Sequence, residues 1–289
     1  MDALTARLNE LCDEVPFEIG WYVKDLGSGW SAERRGDVIV PSASVRKVAI
    51  LAAALRAVHQ GRIDLDQRVP VDTDLDTTSG CFQWFAPGLE VAIRDLLLMM
   101  IVVSDNVSTR HVTGLVGLDA VQALCDSVGM KGTAHRRATP DYSGPRNPRP
   151  GVGNDTTPVD QGILLQAILD GASSAAAAAR IGITPELCTL ALDILSKQRL
   201  KNRIPYWLPE RTKVAHKTGT LGGNVGDVGI VFRDNEPLFI LCALTDGVPV
   251  ELPDGASGHA AADHLIGQLA RVTWDALAAR ATGEGRAAS

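Results

Sequence analysis

The sequence predicts an α+β fold in which an antiparallel sheet, flanked by terminal helices, carries an inserted and mostly helical lobe. Strand-like runs lie near both ends of the chain, at residues 17–40 and 213–245, whereas residues 44–204 carry apolar side chains mainly at helical spacing. Amphipathic segments at 2–15 and 257–280 provide the two terminal helices that would cover the sheet.

We therefore expect one domain, residues 1–289, with two lobes. Residues 1–43 and 205–280 would form the sheet lobe, and residues 44–204 the helical lobe. A chain of 289 residues is long enough to bury a core of that size. The last nine residues, 281–289, are predicted to be a flexible tail.

The first strands are predicted from a hairpin. An apolar run at 17–24 is followed by the turn sequence Asp25-Leu26-Gly27-Ser28-Gly29 and by a second run that starts at Trp30. Residues 38–40 predict a short third strand, which Pro41 ends. The simplest architecture then inserts the helical lobe directly after this third strand of the sheet.

The helical lobe is predicted from periodicity and from start and stop signals. Apolar residues repeat at helical spacing from Ser44 until Gly61, a natural helix stop. The other clear helical segments are 89–103, 118–128, 158–169 and 185–198. Residues 133–157 are rich in Arg, Pro and Gly without periodicity, and a loop of that length is usually functional.

The composition excludes several classes of function. A formal charge of −6 without a dense Lys/Arg run argues against nucleic acid or an anionic membrane as the main partner. The longest apolar run, residues 96–103, is far too short to span a membrane. Because the six histidines show no HxH or HxxxH spacing, we expect neither a metal site nor a cofactor.

The cysteines and the start of the chain bear on location. No basic segment followed by an apolar core opens the sequence, so no secretory signal is predicted. The cysteines are scattered and form no CxxC pair, which is typical of reduced, buried thiols: Cys12, Cys81, Cys125, Cys188 and Cys242. We expect a cytoplasmic protein, exported only if a leader was removed, and a monomer or weak homo-oligomer.

The first chemical motif is Ser44-Val45-Arg46-Lys47, an S-x-x-K at the start of a helix. Positions i and i+3 share one helix face, so the Lys47 amine is expected to reach the Ser44 hydroxyl. A serine hydroxyl becomes a good nucleophile when a neighbouring base takes its proton. Lysine can act as that base if burial or a second cation, for which Lys217 is a candidate, lowers its pKa.

Two further motifs accompany the first. Ser104-Asp105-Asn106 follows a buried helix, and Lys217-Thr218-Gly219-Thr220 lies in a predicted late strand. S-x-x-K alone is a weak signal, but the three motifs in this order and in these structural contexts characterise class A β-lactamases and penicillin-binding proteins.

The chain therefore resembles the class A β-lactamase and penicillin-binding serine hydrolase superfamily over nearly its whole length. The resemblance also rests on short motifs around the three signatures: Pro87-Gly88-Leu89, Val103-Ser104-Asp105-Asn106, Thr156-Thr157-Pro158, Arg203-Ile204-Pro205 and Ala215-His216-Lys217-Thr218-Gly219. It implies a serine β-lactamase/DD-peptidase-like fold and a covalent acyl-enzyme mechanism acting on a small-molecule β-lactam, amide or ester.

The resemblance implies four catalytic residues. Ser44 would attack the carbonyl carbon, and Lys47 would be the base for acylation. Ser104 would pass a proton to the leaving group, and Lys217 would supply positive potential.

It also implies a substrate-binding edge. Asn106 would bind the substrate amide, while Thr218, Gly219 and Thr220 would present a strand edge to an extended substrate. The backbone N–H groups of Ser44 and Thr220 would form the oxyanion hole.

The chain departs from the class A pattern in the loop before Thr156. That loop carries a glutamate for deacylation in class A enzymes, whereas residues 139–148 here contain no glutamate. Asp141 is the one carboxylate near the right place, as a candidate deacylation base or as a turn residue after Pro140. Residues 221–231 also lack the arginine that many class A enzymes use to bind a substrate carboxylate.

Three functions remain open on this basis. The first is a β-lactamase-like serine hydrolase whose β-lactam turnover is weak because the loop glutamate is missing. The second is a penicillin-binding D,D-peptidase or acyltransferase, and the third is a non-catalytic sensor that captures a ligand on Ser44.

Simpler structural roles are the alternatives for several residues. Ser44 could cap a helix, and Ser104 and Asn106 could cap the helix that follows them. Asp105 is predicted to bind backbone amides, and His216 to face away from the cleft. The aromatic cluster around Cys81 could form a rim of the cleft or pack inside, and Arg136, Arg137 and Arg146 could pair with Asp155 across the long loop.

Overall fold

A computed structural model of the chain describes residues 1–73, 79–138 and 145–284, the last four of these by their backbone only. The strands are β1 (Glu18–Asp25), β2 (Ser31–Arg34), β3 (Val40–Pro41), β4 (Arg68–Pro70), β5 (Glu90–Ala92), β6 (Asp155–Thr156), β7 (Val214–Leu221), β8 (Asn224–Arg233) and β9 (Glu236–Asp246).

The helices occupy both termini and the middle of the chain. They are α1 (Asp2–Asp13), α2 (Lys47–His59), α3 (Ile93–Val102), α4 (Asn106–Val116), α5 (Leu118–Val128), α6 (Pro158–Ser173), α7 (Ala175–Arg180), α8 (Pro185–Ser196) and α9 (Gly258–Glu284). Two 3-10 turns, Ala43–Arg46 and Phe82–Trp84, complete the set of described helical elements.

The central sheet has five strands in the order β2-β1-β9-β8-β7, and every neighbouring pair is antiparallel. The N-terminal hairpin and the C-terminal strands meet where β1 pairs with β9 along its whole length. The predicted α+β fold, with one antiparallel sheet built from both ends of the chain, is therefore confirmed.

Two apolar cores lie on the two faces of this sheet. One packs α1 and α9 against the sheet through residues such as Leu8, Trp21 and Leu269. The other joins the opposite face to the helical region, with Leu51 of α2 and Ile230 of β8 among its members. Because both faces are covered, β8 is buried from its first residue to the last but one.

Three local predictions were wrong. The third strand is only Val40–Pro41 and pairs with β6 rather than joining the sheet, since a two-residue strand containing a proline offers few ladder donors. The segment before Ile93 is extended and pairs with β4, so helix α3 begins four residues later than predicted. The last helix continues to Glu284, so the predicted tail does not begin at 281; residues 285–289 lie outside the described part.

Helix α2 determines where the site forms. Its residues are buried on nearly every side because it contacts α4, α5 and α8 as well as neighbouring elements. A helix in such surroundings can be apolar all round, and the run of Ala and aliphatic residues after Lys47 fits that position. Lys47 is therefore carried into the interior at the helix start.

None of the described helices has both the length and the apolar content that a membrane crossing requires. All five cysteines lie among the described residues as unpaired thiols, four of them buried.

Candidate active site

Ser44 lies in the 3-10 turn Ala43–Arg46, which leads directly into α2. Side chains at i and i+3 eclipse one another in a 3-10 turn, so Ser44 and Lys47 lie on the same side. Ala43 adopts a left-handed φ of 43°, a conformation that costs a non-glycine residue about 1 kcal/mol or more. This strain lies one residue before the predicted nucleophile.

Ser44 opens onto a cleft of about 300 Å³. The cleft brings together residues from both halves of the chain: Ser44, Ser79, Ser104, Leu200, Thr218, Thr220 and Gly222. Four of them were predicted site residues, whereas Ser79, Leu200 and Gly222 were not. Ser79 lies beside the site because its hydroxyl donates to the Ser104 carbonyl oxygen at 3.0 Å.

The Lys47 amine is completely buried beneath this cleft and has three oxygen neighbours. Its Nζ lies 2.8 Å from the Ser104 carbonyl oxygen, 3.0 Å from Ser104 Oγ and 2.8 Å from Asn106 Oδ1. A neutral amine has two hydrogens and one lone pair. The amine is the donor in all three contacts, and in its neutral form it can donate to two of the three oxygens at a time while its lone pair stays available for a proton.

The surroundings of Lys47 favour this neutral form. Burial lowers its pKa well below the ordinary lysine value, the positive charges of Lys217 and Arg46 lower it further, and Asp105 opposes them. A depressed pKa is one of the two properties that a lysine general base requires; the other is hydrogen-bond reach of the proton it takes.

The expected contact between Lys47 and the Ser44 hydroxyl is not formed. Within the described part of the chain Ser44 Oγ makes no hydrogen bond, and the amine binds Ser104 and Asn106 instead. Ser104 has a left-handed φ of 57°, which places both its carbonyl and its hydroxyl at the amine. Sequence spacing could not reveal this conformation.

Asp105 has the structural role predicted for it. One carboxylate oxygen accepts the amide of Ser108 and caps α4, and the other accepts the amides of Cys81 and Phe82. The Asp105 side chain therefore fixes the start of α4 relative to the segment that borders the cleft. The helix cap is Asp105 itself rather than Ser104 or Asn106.

The aromatic residues around Cys81 divide between the two predicted roles. Phe82 is buried and packs with the core, whereas Trp84 and Phe85 are exposed.

Lys217 on β7 is the second buried lysine of the site. Its Nζ donates to the Thr218 carbonyl oxygen at 2.8 Å. Burial lowers its pKa to about 7, with Asp227 opposing that change and Arg203 adding to it. Near neutral pH this lysine is therefore close to half protonated.

Gly219 explains why β7 can lie so close to the Ser44 turn. A Cβ at this position would lie 3.0 Å from the backbone nitrogens of both Ser44 and Val45, tighter than nearly all real contacts. Glycine alone lets the strand edge and the start of the turn approach to this distance. The predicted oxyanion donors, Ser44 and Thr220, are thereby brought to one place.

Arg203 is a site residue that the sequence reasoning missed. Its guanidinium lies behind β7, where Nη1 donates to the carbonyl oxygens of Gly219 and Gly226 and Nη2 to Thr220 Oγ1 at 2.6 Å. Nε forms an ion pair with Asp263 at 2.6 Å. The Arg-Ile-Pro motif was the available signal, but its place behind the strand depends on the fold.

This arginine changes the expectation about substrate charge. Because Arg203 donates to Thr220 Oγ1, the Thr220 hydroxyl hydrogen remains free for an acceptor in the cleft. The buried guanidinium therefore contacts one cleft residue, Thr220, from behind the strand.

His216 is buried and lies outside the cleft lining, as predicted. Its Nδ1 lies 2.9 Å from an Asp227 carboxylate oxygen, and Asp227 also accepts the amide of Ile204. The pair joins β7 to β8 and to the segment that carries Arg203.

The loop before α6 is closed by one of the predicted arginines. Arg136 forms an ion pair with the buried Asp155 at 2.6 Å, whereas Arg146 contacts His259 and the Val248 carbonyl oxygen instead. The predicted pairing of Arg146 with Asp155 was therefore wrong. Asp141, the candidate deacylation base, lies outside the described residues.

No cluster of potential metal ligands occurs among the residues that the structure describes.

Comparison with known proteins places these features in context. A model described as the Beta-lactamase enzyme family matches residues 3–277. The solved structure of a β-lactamase from Sphaerobacter thermophilus DSM 20745 is similar with a TM-score of 0.82 and 28% identity, covering 96% of this chain and 97% of that one.

Two other relatives are not described as β-lactamases. PBP-A is similar with a TM-score of 0.80 and 27% identity over 96% of both chains, and a variant of it has been solved as an acyl-enzyme complex with penicillin G. The β-lactamase regulatory protein BlaB of Streptomyces cacaoi is 24% identical, covering 96% of this chain and 98% of that protein.

Proposed function

Because the chain belongs to the β-lactamase enzyme family, we propose that it is a serine hydrolase that forms a covalent acyl-enzyme on Ser44. The observation that carries the proposal is the buried Lys47 amine, hydrogen-bonded to Ser104 beneath the cleft that Ser44 lines. The bond broken in the substrate would be a lactam, an amide or an ester.

Acylation would proceed by proton transfers among these side chains. As Ser44 Oγ bonds to the carbonyl carbon, its proton passes to the neutral Lys47 amine. The backbone N–H groups of Ser44 and Thr220 would stabilise the oxyanion. When the C–N or C–O bond breaks, Ser104 gives its proton to the leaving atom and takes one from Lys47, which restores the neutral amine.

Positive charge near Thr220 supports a substrate that carries a carboxylate. Lys217 belongs to β7, Arg203 binds the same strand from behind, and Thr220 lines the cleft. Charge-assisted hydrogen bonds to a carboxylate are about twice as strong as neutral ones. We therefore propose that the preferred substrates are anionic, as β-lactams are.

Deacylation is the step that separates a β-lactamase from its relatives. Class A enzymes use a loop glutamate that this chain lacks, and an aspartate at 141 is one methylene shorter. Errors of about 1 Å in position can reduce a rate about 10²-fold. We therefore propose slow hydrolysis of the acyl-enzyme and weak β-lactam turnover.

Two other functions have a specific observation in their favour. The similarity to PBP-A supports a penicillin-binding D,D-peptidase or acyltransferase. The similarity to the regulatory protein BlaB supports a sensor that is acylated without turnover. All three functions require an acylated Ser44 and differ in the lifetime of the adduct.

The decisive experiment measures that adduct directly. Purified protein is mixed with a chromogenic cephalosporin, or with a small acyl ester, and followed by stopped-flow absorbance and intact-protein mass spectrometry. We expect one acyl group per chain, formed in a burst and lost slowly, and no adduct with Ser44→Ala. Steady turnover at the burst rate would indicate an efficient β-lactamase, and no adduct with any acyl donor would contradict the proposal.

Lys47→Ala tests the identity of the base. We expect acylation to slow by several orders of magnitude while circular dichroism shows a folded chain, because Ser44 then lacks a proton acceptor. Acylation at the wild-type rate would show that Lys47 is not the base.

Asp141→Asn tests the remaining candidate for deacylation. We expect acylation and adduct lifetime to change little, since a turn residue would tolerate asparagine. An adduct that becomes selectively longer-lived would identify Asp141 as the deacylation base.

A further inference from the structure

Arg46 is buried beside the site, and the part of the chain that the structure describes offers it no counter-charge. Its side chain is 2% exposed, and Nη1 donates to the Ala138 carbonyl oxygen at 3.1 Å. Nε and Nη2 have no hydrogen-bond partner, and no carboxylate within ion-pair distance is found in the described ranges 1–73, 79–138 and 145–284. A buried cation without a counter-charge destabilises a fold, so its presence requires an explanation.

The neighbours of Arg46 do not neutralise it. His135 is buried close by, and burial together with the Arg46 charge lowers the His135 pKa to about 3, so the imidazole is neutral. Asp155 on β6 is engaged by Arg136 and by the Gly151 amide. The guanidinium charge therefore acts on whatever else is buried nearby.

The charged groups around Lys47 come from several elements. Arg46 adjoins it in the chain, Lys217 faces it from β7, and Asp105 faces it from the start of α4. Four further titratable groups on elements that pack against α2 or its 3-10 turn have their own partners or are neutral: Asp227 on β8, bound to His216; Asp160 on α6, bound to Thr133; and the thiols of Cys125 on α5 and Cys188 on α8.

We propose that Arg46 is a positioning residue for acylation, whose unpaired buried charge keeps the adjacent Lys47 amine unprotonated and able to accept the Ser44 proton. This inference rests on the proposed function, because it assigns Arg46 a task in the acylation of Ser44.

Arg46 can perform this task over a pH range in which Lys217 cannot. Lys217, with a pKa of about 7, loses its charge as the pH rises through neutrality and then no longer repels a proton on Lys47. Burial lowers the pKa of Arg46 only to about 10, so its guanidinium remains charged throughout that range. Arg46 is thus the cation whose effect on Lys47 persists at and above neutral pH.

The size of the effect follows from the separation of the charges. At an effective dielectric constant of about 20, two like charges about 10 Å apart change a pKa by about one unit. A base with a pKa higher by one unit is unprotonated in about a tenfold smaller fraction of molecules below that pKa.

The test is the pH profile of acylation, measured as the burst rate with a chromogenic cephalosporin between pH 5 and 9. The acidic limb is the part of this profile in which the burst rate falls as the pH falls. In Arg46→Met we expect the acidic limb to move to higher pH by about one unit, with the rate at high pH unchanged. Arg46→Gln removes the charge but keeps polar hydrogen-bond donors, so it should move the limb by the same amount. A limb that stays in place in Arg46→Met would overturn the proposal.

Arg56→Met is the matched control. This arginine lies on the same helix, nine residues or about two and a half turns after Lys47, and its guanidinium is bonded to the Ile181 carbonyl oxygen and to Ser127 Oγ. Removing it should leave the acidic limb where it is. A limb that moves equally in both variants would show a general effect on the helix and would contradict the proposed role.

A role confined to folding gives a different result. Arg46→Met removes an unpaired buried charge, so we expect its melting temperature to equal or exceed that of the wild type. If both Arg46→Met and Arg46→Gln fail to fold, Arg46 is structural and the proposal is wrong. A wild-type chain that forms no adduct overturns the proposed function and this inference together. If the wild type forms the adduct but the acidic limb of Arg46→Met stays in place, only the inference is overturned and the proposed function stands.

Discussion

At the scale of single residues, the protonation state of Lys47 depends on side chains from separate parts of the chain. Its oxygen neighbours come from Ser104 and Asn106, 57 and 59 residues further along. The charges that act on it come from Arg46, Lys217 and Asp105. Its basicity is therefore a property of the folded molecule, although the S-x-x-K motif is local.

Arg203 provides the next prediction at this scale. Arg203→Met removes the guanidinium behind Thr220, so acylation by an anionic cephalosporin should slow about tenfold more than acylation by a neutral ester. The ratio of the two second-order rates, measured by stopped flow, reports substrate charge recognition independently of the amount of folded protein.

The control for Arg203 is Asp263→Asn, which weakens the ion pair with Nε and leaves the donors that face β7. We expect the wild-type ratio in this variant. An unchanged ratio in Arg203→Met would show that the arginine only supports the strand.

At the scale of secondary-structure elements, the distance between β7 and the Ser44 turn is the critical quantity. Strand β7 is the edge of the sheet, so one side of it is open to the cleft. Gly219 sets how closely that side approaches the turn. The oxyanion donors depend on this approach because hydrogen-bond strength falls steeply with geometry.

Gly219→Ala should therefore impair chemistry more than folding. The added Cβ would force β7 and the turn apart by a few tenths of an ångström, and we expect acylation to slow about 10²-fold. The measurement is the burst rate, accompanied by the melting temperature.

Gly114→Ala, in the last turn of α4 with open space at its Cβ, should leave the burst rate unchanged and slightly stabilise the helix. Wild-type acylation in Gly219→Ala would show that β7 does not need this close approach.

A second element, the segment that contains Ser79 and Cys81, is held at the cleft by Asp105. The carboxylate that caps α4 also accepts two amides of this segment, so one side chain couples a helix start to the cleft border. The exposed Trp84 and Phe85 follow in the same segment.

At the scale of the whole molecule, burying lysines makes stability depend on pH. The pKa of Lys217 is about 7 when folded, against the ordinary value of 10.5, which applies when the chain is unfolded. Between these two values the unfolded chain binds the proton and the folded chain does not, so the free energy of unfolding rises with pH across this window. The depressed pKa of Lys47 acts in the same direction.

Lys217→Met should reduce this rise. Between pH 7 and 8.5 we expect the wild type to gain roughly 1 kcal/mol of unfolding free energy relative to the variant, measured by urea denaturation. As a control, Lys197→Met removes an exposed lysine paired with Asp193. The unfolding free energy of this variant should rise with pH as steeply as that of the wild type. Equal slopes in Lys217→Met and the wild type would contradict the depressed pKa.

The sequence by itself determined the α+β class, the helices at the first two motifs and the strand that carries the third, whereas the grouping of Ser44, Ser104 and Thr218 in one cleft was implied by the family resemblance. Hydrophobic periodicity and capping act within a few residues, so they can be recognised without coordinates. The division into two lobes at residues 43 and 205 is still a prediction.

Only the tertiary structure decided that the Lys47 amine binds Ser104 rather than Ser44, that Arg203 lies behind β7, and that Arg46 is buried unpaired. Each of these depends on which distant segments meet, such as Arg46 and Ala138, which are 92 residues apart. The left-handed conformations of Ala43 and Ser104 belong here too. The surrounding packing imposes them against local preference, so no pattern of neighbouring residues could predict them.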